Sequence, residues 1–150
     1  FCLSRGLGDV YKRQFANWAA QLGDERAERA FAWPEYEDAG ALLAFSTDAP
    51  TAPHAALANM YVATTRASAL EPDTSAVHPQ FALPLARAIA HATRDAAASI
   101  GDDAWRGRIA VGQAADFAVL DVDPFSEGSG SLLTGRVLRT VIGGRTAYEA

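Results

Sequence analysis

The feature that most constrains this chain is a short apolar run that ends in a single carboxylate. Residues 41–45 (ALLAF) carry no charge, follow Gly40, and lead through Thr47 and Asp48 to Pro50. A short run that is apolar on both faces predicts a buried parallel strand. Asp48 would then lie just past the C-terminal end of that strand, which is where barrels of alternating strands and helices carry their catalytic residues.

The residues around Asp48 leave two interpretations open. An ionised carboxylate beside an apolar strand is costly unless it is paired, hydrated or metal-bound, which favours a functional role. Aspartate is also a preferred residue at helix starts, so the segment from Thr47 to Pro50 is equally compatible with a simple cap or turn.

Composition narrows the class of protein. The chain has 150 residues, of which 49% are hydrophobic and 21% charged, as in a soluble globular domain. Thirteen basic against 18 acidic side chains give a net charge of −5, which argues against a nucleic-acid-binding surface. No apolar run approaches the roughly 18 residues of a membrane span. The single cysteine, Cys2, excludes an internal disulfide framework and favours a cytoplasmic location.

The first 14 residues, FCLSRGLGDVYKRQ, show no periodicity and no apolar core of the kind a signal peptide needs. They resemble a translated sequencing adapter, so we expect residues 1–14 to be a non-native segment. The natural protein would then continue upstream of Phe15. The alternative is a genuine N-terminal arm.

The segment 15–104 is predicted to alternate helices with the apolar strand. Apolar residues recur at three-to-four-residue spacing in five segments: 15–22, 24–31, 34–39, 55–66 and 84–100. The last of these would form one helix whose inward stripe is Leu85, Ile89, Thr93, Ala96 and Ile100.

Three histidines follow Asp48. His54 shares its loop and could contact a substrate or carry a proton, although a helix-entry histidine with no chemical task is the interpretation we favour. His78 is predicted to be solvated. His91 lies off the predicted inward stripe, and a lone histidine on a helix does not indicate a metal site.

From residue 105 onwards the pattern becomes short and extended. Strands are predicted at 108–111, 117–122, 136–142 and 145–148, with Gly143-Gly144 as a hairpin turn. Residues 126–131 (SEGSGS) are typical of a flexible surface loop. Asp116 is predicted to anchor a turn.

Three segments together resemble the C-terminal part of amidohydrolase-superfamily enzymes, specifically the YtcJ-like amidohydrolase 3 group. They are 22–27 with 39–40, the FSTDAP run at 45–50, and GRIAVGQAADFAVLD at 107–121 with TVIGGR at 140–145. The middle segment is similar to the family's Ser-Asp-x-Pro motif after the last barrel strand. Ser46-Thr47 stands where many members have Gly-Ser.

The resemblance implies a TIM-type (β/α)8 barrel that carries one or two divalent metals, usually zinc. It maps Asp48 onto the aspartate after the eighth strand, which ligates metal or contacts the metal-bound water and passes a proton to the leaving nitrogen. Thr47, His54 and Arg66 would lie on substrate loops. The family's first-strand His-x-His pair and its later metal ligands have no counterpart in this chain.

We therefore expect an α/β fold in which 15–104 forms the last βα units of an incomplete barrel and 105–150 forms strands of a small β-sandwich. The resemblance implies a metal-dependent hydrolase of carbon–nitrogen bonds other than peptide bonds, acting on a small-molecule substrate, with neither nucleic acid nor membrane as partner. A homo-oligomer of the full-length protein stays open. Two alternatives remain: a non-catalytic scaffold or interaction domain, and complementation by another chain.

Overall fold

The computed structural model describes residues 2–4, 17, 19–47, 49–50, 54–71 and 75–150. The chain forms a mixture of short helices and strands. The helices are α1 (Asp24–Ala27), α2 (Trp33–Asp38), α3 (Ala56–Thr65), α4 (Leu85–Ala92), α5 (Arg94–Ser99), α6 (Pro124–Glu127) and α7 (Ser131–Thr134), with a 3-10 turn at Pro79–Phe81. The strands are β1 (Cys2–Ser4), β2 (Ala44–Ser46), β3 (Phe117–Leu120), β4 (Val137–Ile142) and β5 (Arg145–Glu149).

The predicted apolar strand is present as β2, shorter than its sequence suggested. It pairs in parallel with β1, with Leu3 opposite Phe45. Leu43 and Ala44 are buried, but Leu42 is 43% exposed, so the prediction that the whole run is buried on both faces is wrong. Residues 41–43 precede the strand as irregular chain. β1 lies in the segment predicted to be non-native, and the origin of residues 1–14 stays a prediction.

A first core cluster surrounds β2. Its buried members come from α2, α3, α4 and the chain that leads into β2 and α4: Trp33, Leu43, Ala63, Leu83 and Ala88. Phe31, Phe45 and Met60 pack against them while remaining partly exposed. A second cluster, built on Tyr61, Val62, Ala67 and Leu132, joins α3 to α7. Since α3 contributes buried residues to both clusters, it connects them.

The long helix predicted from Pro84 is interrupted. Thr93 has φ −126° and ψ −83°, which separates α4 from α5. The predicted inward stripe is therefore wrong at its C-terminal end, where Thr93 is exposed and Ile100 is 66% exposed. The buried residues are instead Ala88 and His91 of α4 and Asp95 and Ala97 of α5, so the inward face differs from the predicted stripe already before the break.

The C-terminal part forms a three-stranded antiparallel sheet in the order β3-β4-β5. The Gly143-Gly144 hairpin is confirmed, since Ile142 pairs with Arg145 across it. Asp116 was predicted to anchor a turn, and the turn that it holds is this distant hairpin, because its Oδ1 accepts a hydrogen bond of 2.7 Å from the Gly143 N–H. The strand predicted at 108–111 is irregular.

The segment 126–131 is not the flexible loop that its composition suggested. Ser126 and Glu127 belong to α6, whose start is capped by Asp123 accepting a 3.0 Å hydrogen bond from the Phe125 N–H. Ser131 opens α7 and is 8% exposed. None of the helices in the part of the chain that the structure describes is long and apolar enough to cross a membrane.

Candidate functional site

The end of β2 is where the sequence placed the site. Thr47 follows the strand directly and is half-buried, and Ala49 and Pro50 beyond it are exposed. Asp48 lies outside the described residues, so its predicted catalytic and metal-binding roles stay predictions. The structure does describe the side chains that pack against this end of β2.

His54 and Arg66 lie at opposite ends of the α3 segment. His54 is exposed and comes two residues before the helix, as expected for a helix-entry position. Arg66 caps the C-terminal end of α3 in a left-handed conformation with φ +61°. The helix therefore keeps these two predicted substrate-loop residues apart in the fold.

Arg66 is buried, with 4% of its surface exposed. Its guanidinium carbon lies 4.3 Å from the centroid of the Trp33 ring, which is a cation–π contact. Its Nε donates a 3.1 Å hydrogen bond to the carbonyl oxygen of Val77. These contacts hold the guanidinium inside the fold, and a contact between Arg66 and a substrate stays a prediction.

Phe45 connects β2 to ring side chains of two helices, Trp33 of α2 and His91 of α4. Its ring lies 6.4 Å from that of Trp33, tilted by 49°. On another side it meets the imidazole of His91 at 5.5 Å with an interplanar angle of 66°, a T-shaped contact. The side chain three positions before Asp48 is therefore held by α2 and by α4.

His91 is the residue that sequence reasoning missed. It is only 3% exposed, and its two ring nitrogens face two carboxylates. Nδ1 lies 2.8 Å from Oδ2 of Asp95, and Nε2 lies 3.0 Å from Oε1 of Glu37. The Nε2 contact is close enough for an ion pair, but Nε2 makes no hydrogen bond.

Two arginines complete this group of charges. Arg94 donates to both oxygens of Asp95, at 2.6 Å from Nε and 3.0 Å from Nη2. Arg87 donates from Nη1 to Oε2 of Glu37 at 3.0 Å. We call these five residues, Arg87, Glu37, His91, Asp95 and Arg94, the histidine cluster.

The electrostatics of Asp95 follow from these contacts. Burial acts to raise the pKa of the Asp95 carboxyl, but hydrogen bonds from Arg94 and His91, with their charges, outweigh it and leave that pKa below its usual range. Asp95 is therefore an ionised carboxylate although it is 5% exposed.

One signal for the cluster was present in the sequence. His91 and Asp95 are four residues apart, the spacing at which helical side chains meet. Glu37 belongs to a distant helix, so its contact with His91 has no local signal.

His78 is not solvated as predicted. It is half-buried, and its ring centroid lies 6.2 Å from that of Phe81. Burial and then the positive charge of Arg66 lower its pKa, against smaller opposing contributions. Its prediction as a solvated loop residue failed because the 3-10 turn at Pro79–Phe81 folds this segment against the protein.

Within the described ranges, no three His, Cys, Asp or Glu side chains form a group that could hold a metal ion. In the histidine cluster, both ring nitrogens of His91 already face carboxylate oxygens at 2.8 and 3.0 Å. The described part of the chain thus does not provide a set of metal ligands.

Comparison with known proteins identifies the class. The profile described as "Amidohydrolase family" matches residues 11–148, and the chain belongs to that family. Its likeness to one curated protein is more specific: it is 36% identical over 129 residues to "Putative amidohydrolase YtcJ" of Bacillus subtilis (strain 168). That alignment covers 86% of this chain and 24% of the relative, so the chain spans about a quarter of the relative's length.

A solved structure supports the fold. The crystal structure of an uncharacterized protein superposes on 98% of this chain with a TM-score of 0.61 and 21% sequence identity. This chain covers 35% of that protein. At this identity the likeness concerns the fold alone, and it agrees with the mixed arrangement of helices and strands described above.

Proposed function

We propose that this chain is the C-terminal part of a metal-dependent hydrolase that cleaves carbon–nitrogen bonds other than peptide bonds in small molecules. In this proposal residues 15–104 complete a (β/α)8 barrel and residues 105–150 contribute strands of a β-sandwich. Residues 1–14 are a non-native segment in this proposal, although the family match begins at residue 11.

The observation that carries the proposal is the family match, which spans β2 and the motif that follows it. β2 is a short strand, and Leu43 and Ala44 are buried in the core at its start. Barrels of this class place their catalytic side chains at the C-terminal ends of such strands. Asp48 occupies that position in the sequence.

Asp48 would act as a general base and then a general acid. A carboxylate at this position accepts a proton from the attacking water and returns it to the nitrogen that leaves as the carbon–nitrogen bond breaks. The alternative role, a cap at a turn, makes no contribution to turnover.

The amidohydrolase family is generally metal-dependent, and a bound divalent cation, with zinc as our expectation, would supply Lewis acidity toward water and the substrate carbonyl. The described residues do not fit a complete metal site, because they contain no suitable group of three ligands. Asp48 could provide one ligand, and the remaining ligands would come from sequence that this chain does not contain.

The other proposed contacts are secondary to Asp48. Thr47, half-buried at the end of β2, would present its hydroxyl to the substrate, and the exposed His54 would face the same loop. Arg66 would contact the substrate from its position over the Trp33 ring. The proposal also places the protein in the cytoplasm and leaves its oligomeric state open.

The test uses the longest protein that carries this chain, assayed with zinc on a panel of amide, N-acyl and cyclic amide substrates. We expect Asp48→Asn to lower kcat by at least about a hundredfold, the usual contribution of a positioned acid or base, with the fold unchanged. Turnover within twofold of the wild type would refute the role of Asp48. Absence of any turnover by the wild type across the panel would favour the scaffold alternative.

A further inference from the structure

The second core cluster joins the C-terminal part of the chain to α3, the helix that follows the candidate site. Its buried members are Tyr61, Val62, Ala67 and Leu132. Leu132 belongs to α7 and is 2% exposed, whereas the other three come from α3 and the chain just beyond it. Leu133, the next residue of α7, packs partly buried against the same cluster. Leu132 is therefore the buried side chain that anchors α7 on α3.

α7 is held firmly by the sheet from which it comes. The Gly135 N–H donates a 2.7 Å hydrogen bond to the Ser131 carbonyl oxygen at the end of this helix. Gly135 also passes so close to Val122 that a Cβ on it would lie 2.5 Å from a Val122 methyl carbon. The next residue, Arg136, donates its backbone N–H to Oδ1 of Asp121 at 2.6 Å. Because these contacts lie at the end of β3 and the start of β4, α7 is a rigid extension of the sheet.

α3 connects this anchor to the candidate site. The segment 47–55 contains Asp48 and joins the end of β2 to the start of α3, so the position of α3 sets where this segment ends. α3 also packs into the first core cluster through Ala63, which is 1% exposed. The same cluster contains Leu43, which leads into β2. α3 therefore contacts both α7 and the core around β2.

α7 shares the support of α3 with α4 and the chain before it. Leu85 of α4 packs against the second cluster, and the Leu83 N–H donates a 2.8 Å hydrogen bond to the Ala63 carbonyl oxygen. These contacts remain when the Leu132 side chain is shortened. Since the surroundings of a new cavity relax only partially, we expect truncation of Leu132 to displace α3 without detaching it.

We propose that Leu132 is a positioning residue: by anchoring α7 on α3, it lets the C-terminal sheet set the position of α3 and thereby of the segment 47–55 that carries Asp48. The catalytic meaning of this positioning rests on the proposed function. The effect of Leu132 on the segment does not, and it can be tested on the chain itself.

The first experiment compares backbone amide resonances of the 150-residue chain labelled with nitrogen-15. In Leu132→Ala we expect the amides of Thr47 and His54 to shift together with those of α3. Leu138→Ala is the matched control, because Leu138 lies on β4 and is 38% exposed. It should leave the Thr47 and His54 resonances unchanged. Unchanged Thr47 and His54 amides in Leu132→Ala would overturn the proposal.

Two milder variants separate positioning from a loss of stability. Leu132→Met conserves the side-chain volume and should return both amides to their wild-type positions. Leu132→Val removes one carbon and should shift them in the same direction as Leu132→Ala but less, which keeps the test available if Leu132→Ala does not fold. A lowered melting temperature of Leu132→Val without any shift at Thr47 and His54 would show a purely structural role and reject the positioning.

The catalytic consequence is measured in the longest protein that carries this chain. Leu132→Ala should lower kcat by about tenfold to a hundredfold, as expected when a reacting group is slightly misplaced. If Asp48→Asn loses turnover while Leu132→Ala keeps the wild-type kcat, the role of Asp48 stands and that of Leu132 is refuted. If Asp48→Asn turns over normally while the Thr47 and His54 amides shift in Leu132→Ala, the proposed function fails and the positioning of the segment stands.

Discussion

Replacing Trp33 with alanine is the perturbation that tests the core around the candidate site most directly. Trp33 is 1% exposed and belongs to the first core cluster together with Leu43. Its ring also carries the guanidinium of Arg66 at 4.3 Å and lies 6.4 Å from the ring of Phe45. One substitution therefore removes the contacts of the Trp33 ring with the first core cluster, with Arg66 and with Phe45.

The expected loss can be derived from these contacts. Truncation of a fully buried Trp to Ala typically costs about 3–5 kcal/mol. We expect the upper part of that range, because the change also leaves the buried Arg66 without the ring on which it lies. For a domain of this size each kcal/mol lowers the melting temperature by about 2–4 °C, so a loss of about 4–5 kcal/mol corresponds to a decrease of about 8–20 °C. Trp33→Phe keeps an aromatic ring and should cost only about 1–2 kcal/mol.

Trp105 is the matched control. It also lies against a guanidinium, with Arg106 at 4.5 Å from its ring, but it is 48% exposed. Trp105→Ala should therefore cost about 1 kcal/mol or less. The assay is thermal and urea unfolding followed by far-ultraviolet circular dichroism, which does not depend on tryptophan fluorescence. Equal losses for Trp33→Ala and Trp105→Ala would refute the reasoning, because burial alone separates the two.

Three further predictions concern a loop, a histidine and a turn. Gly107 and Gly112 both have positive φ, but a Cβ on Gly107 would lie 2.8 Å from another side-chain carbon, whereas Gly112 has open space around it. In urea unfolding, Gly107→Ala should therefore be less stable than Gly112→Ala by about 1–3 kcal/mol, and equal stability of the two variants would contradict the structure. Burial and the neighbouring Arg66 guanidinium lower the pKa of His78, so the fold loses stability as pH falls below about 6.5. Between pH 7 and 5, His78→Gln should therefore lose less unfolding free energy than wild type in the same assay, and parallel pH profiles would exclude this effect. Asp116→Ala removes the 2.7 Å hydrogen bond from the Gly143 N–H, so it should lower the unfolding free energy by about 1 kcal/mol and speed amide exchange in the hairpin turn. Asp116→Asn should lose less stability, and identical exchange rates in the two variants would contradict the anchoring role.

Several elements were predictable because their signals are local. The Gly143-Gly144 turn between alternating strands identifies the β4–β5 hairpin, which the structure confirms at Val137–Ile142 and Arg145–Glu149. Helix α3 was expected at 55–66 and is found at Ala56–Thr65. The resemblance to amidohydrolases was also readable from the sequence, and the family match over residues 11–148 confirms it.

Predictions failed where a local pattern was overridden by packing. The stripe drawn through Leu85 and Ile100 assumed one continuous helix with that face inward, but a break occurs at Thr93 and the buried residues are Ala88, His91 and Asp95, which lie on another face. His78 was assigned to solvent because its neighbours in the sequence are polar, yet the chain fold brings it against Phe81. Periodicity and composition describe a segment by itself and carry no information about the part of the protein against which the segment packs.

The sequence by itself therefore determined the family, the position of the buried strand, the hairpin, and Asp48 as the residue to test. The strand and the hairpin depend on residues that are adjacent or a few positions apart, where turn geometry and side-chain periodicity act directly, whereas the family depends on three motifs in a fixed order along the chain. Only the tertiary structure decided that His91 lies between Glu37 and Asp95 and that Arg66 is buried over Trp33. The contacts His91–Glu37 and Arg66–Trp33 join segments that are far apart in the sequence, so no local pattern predicts them, although buried polar groups need such partners to be stable.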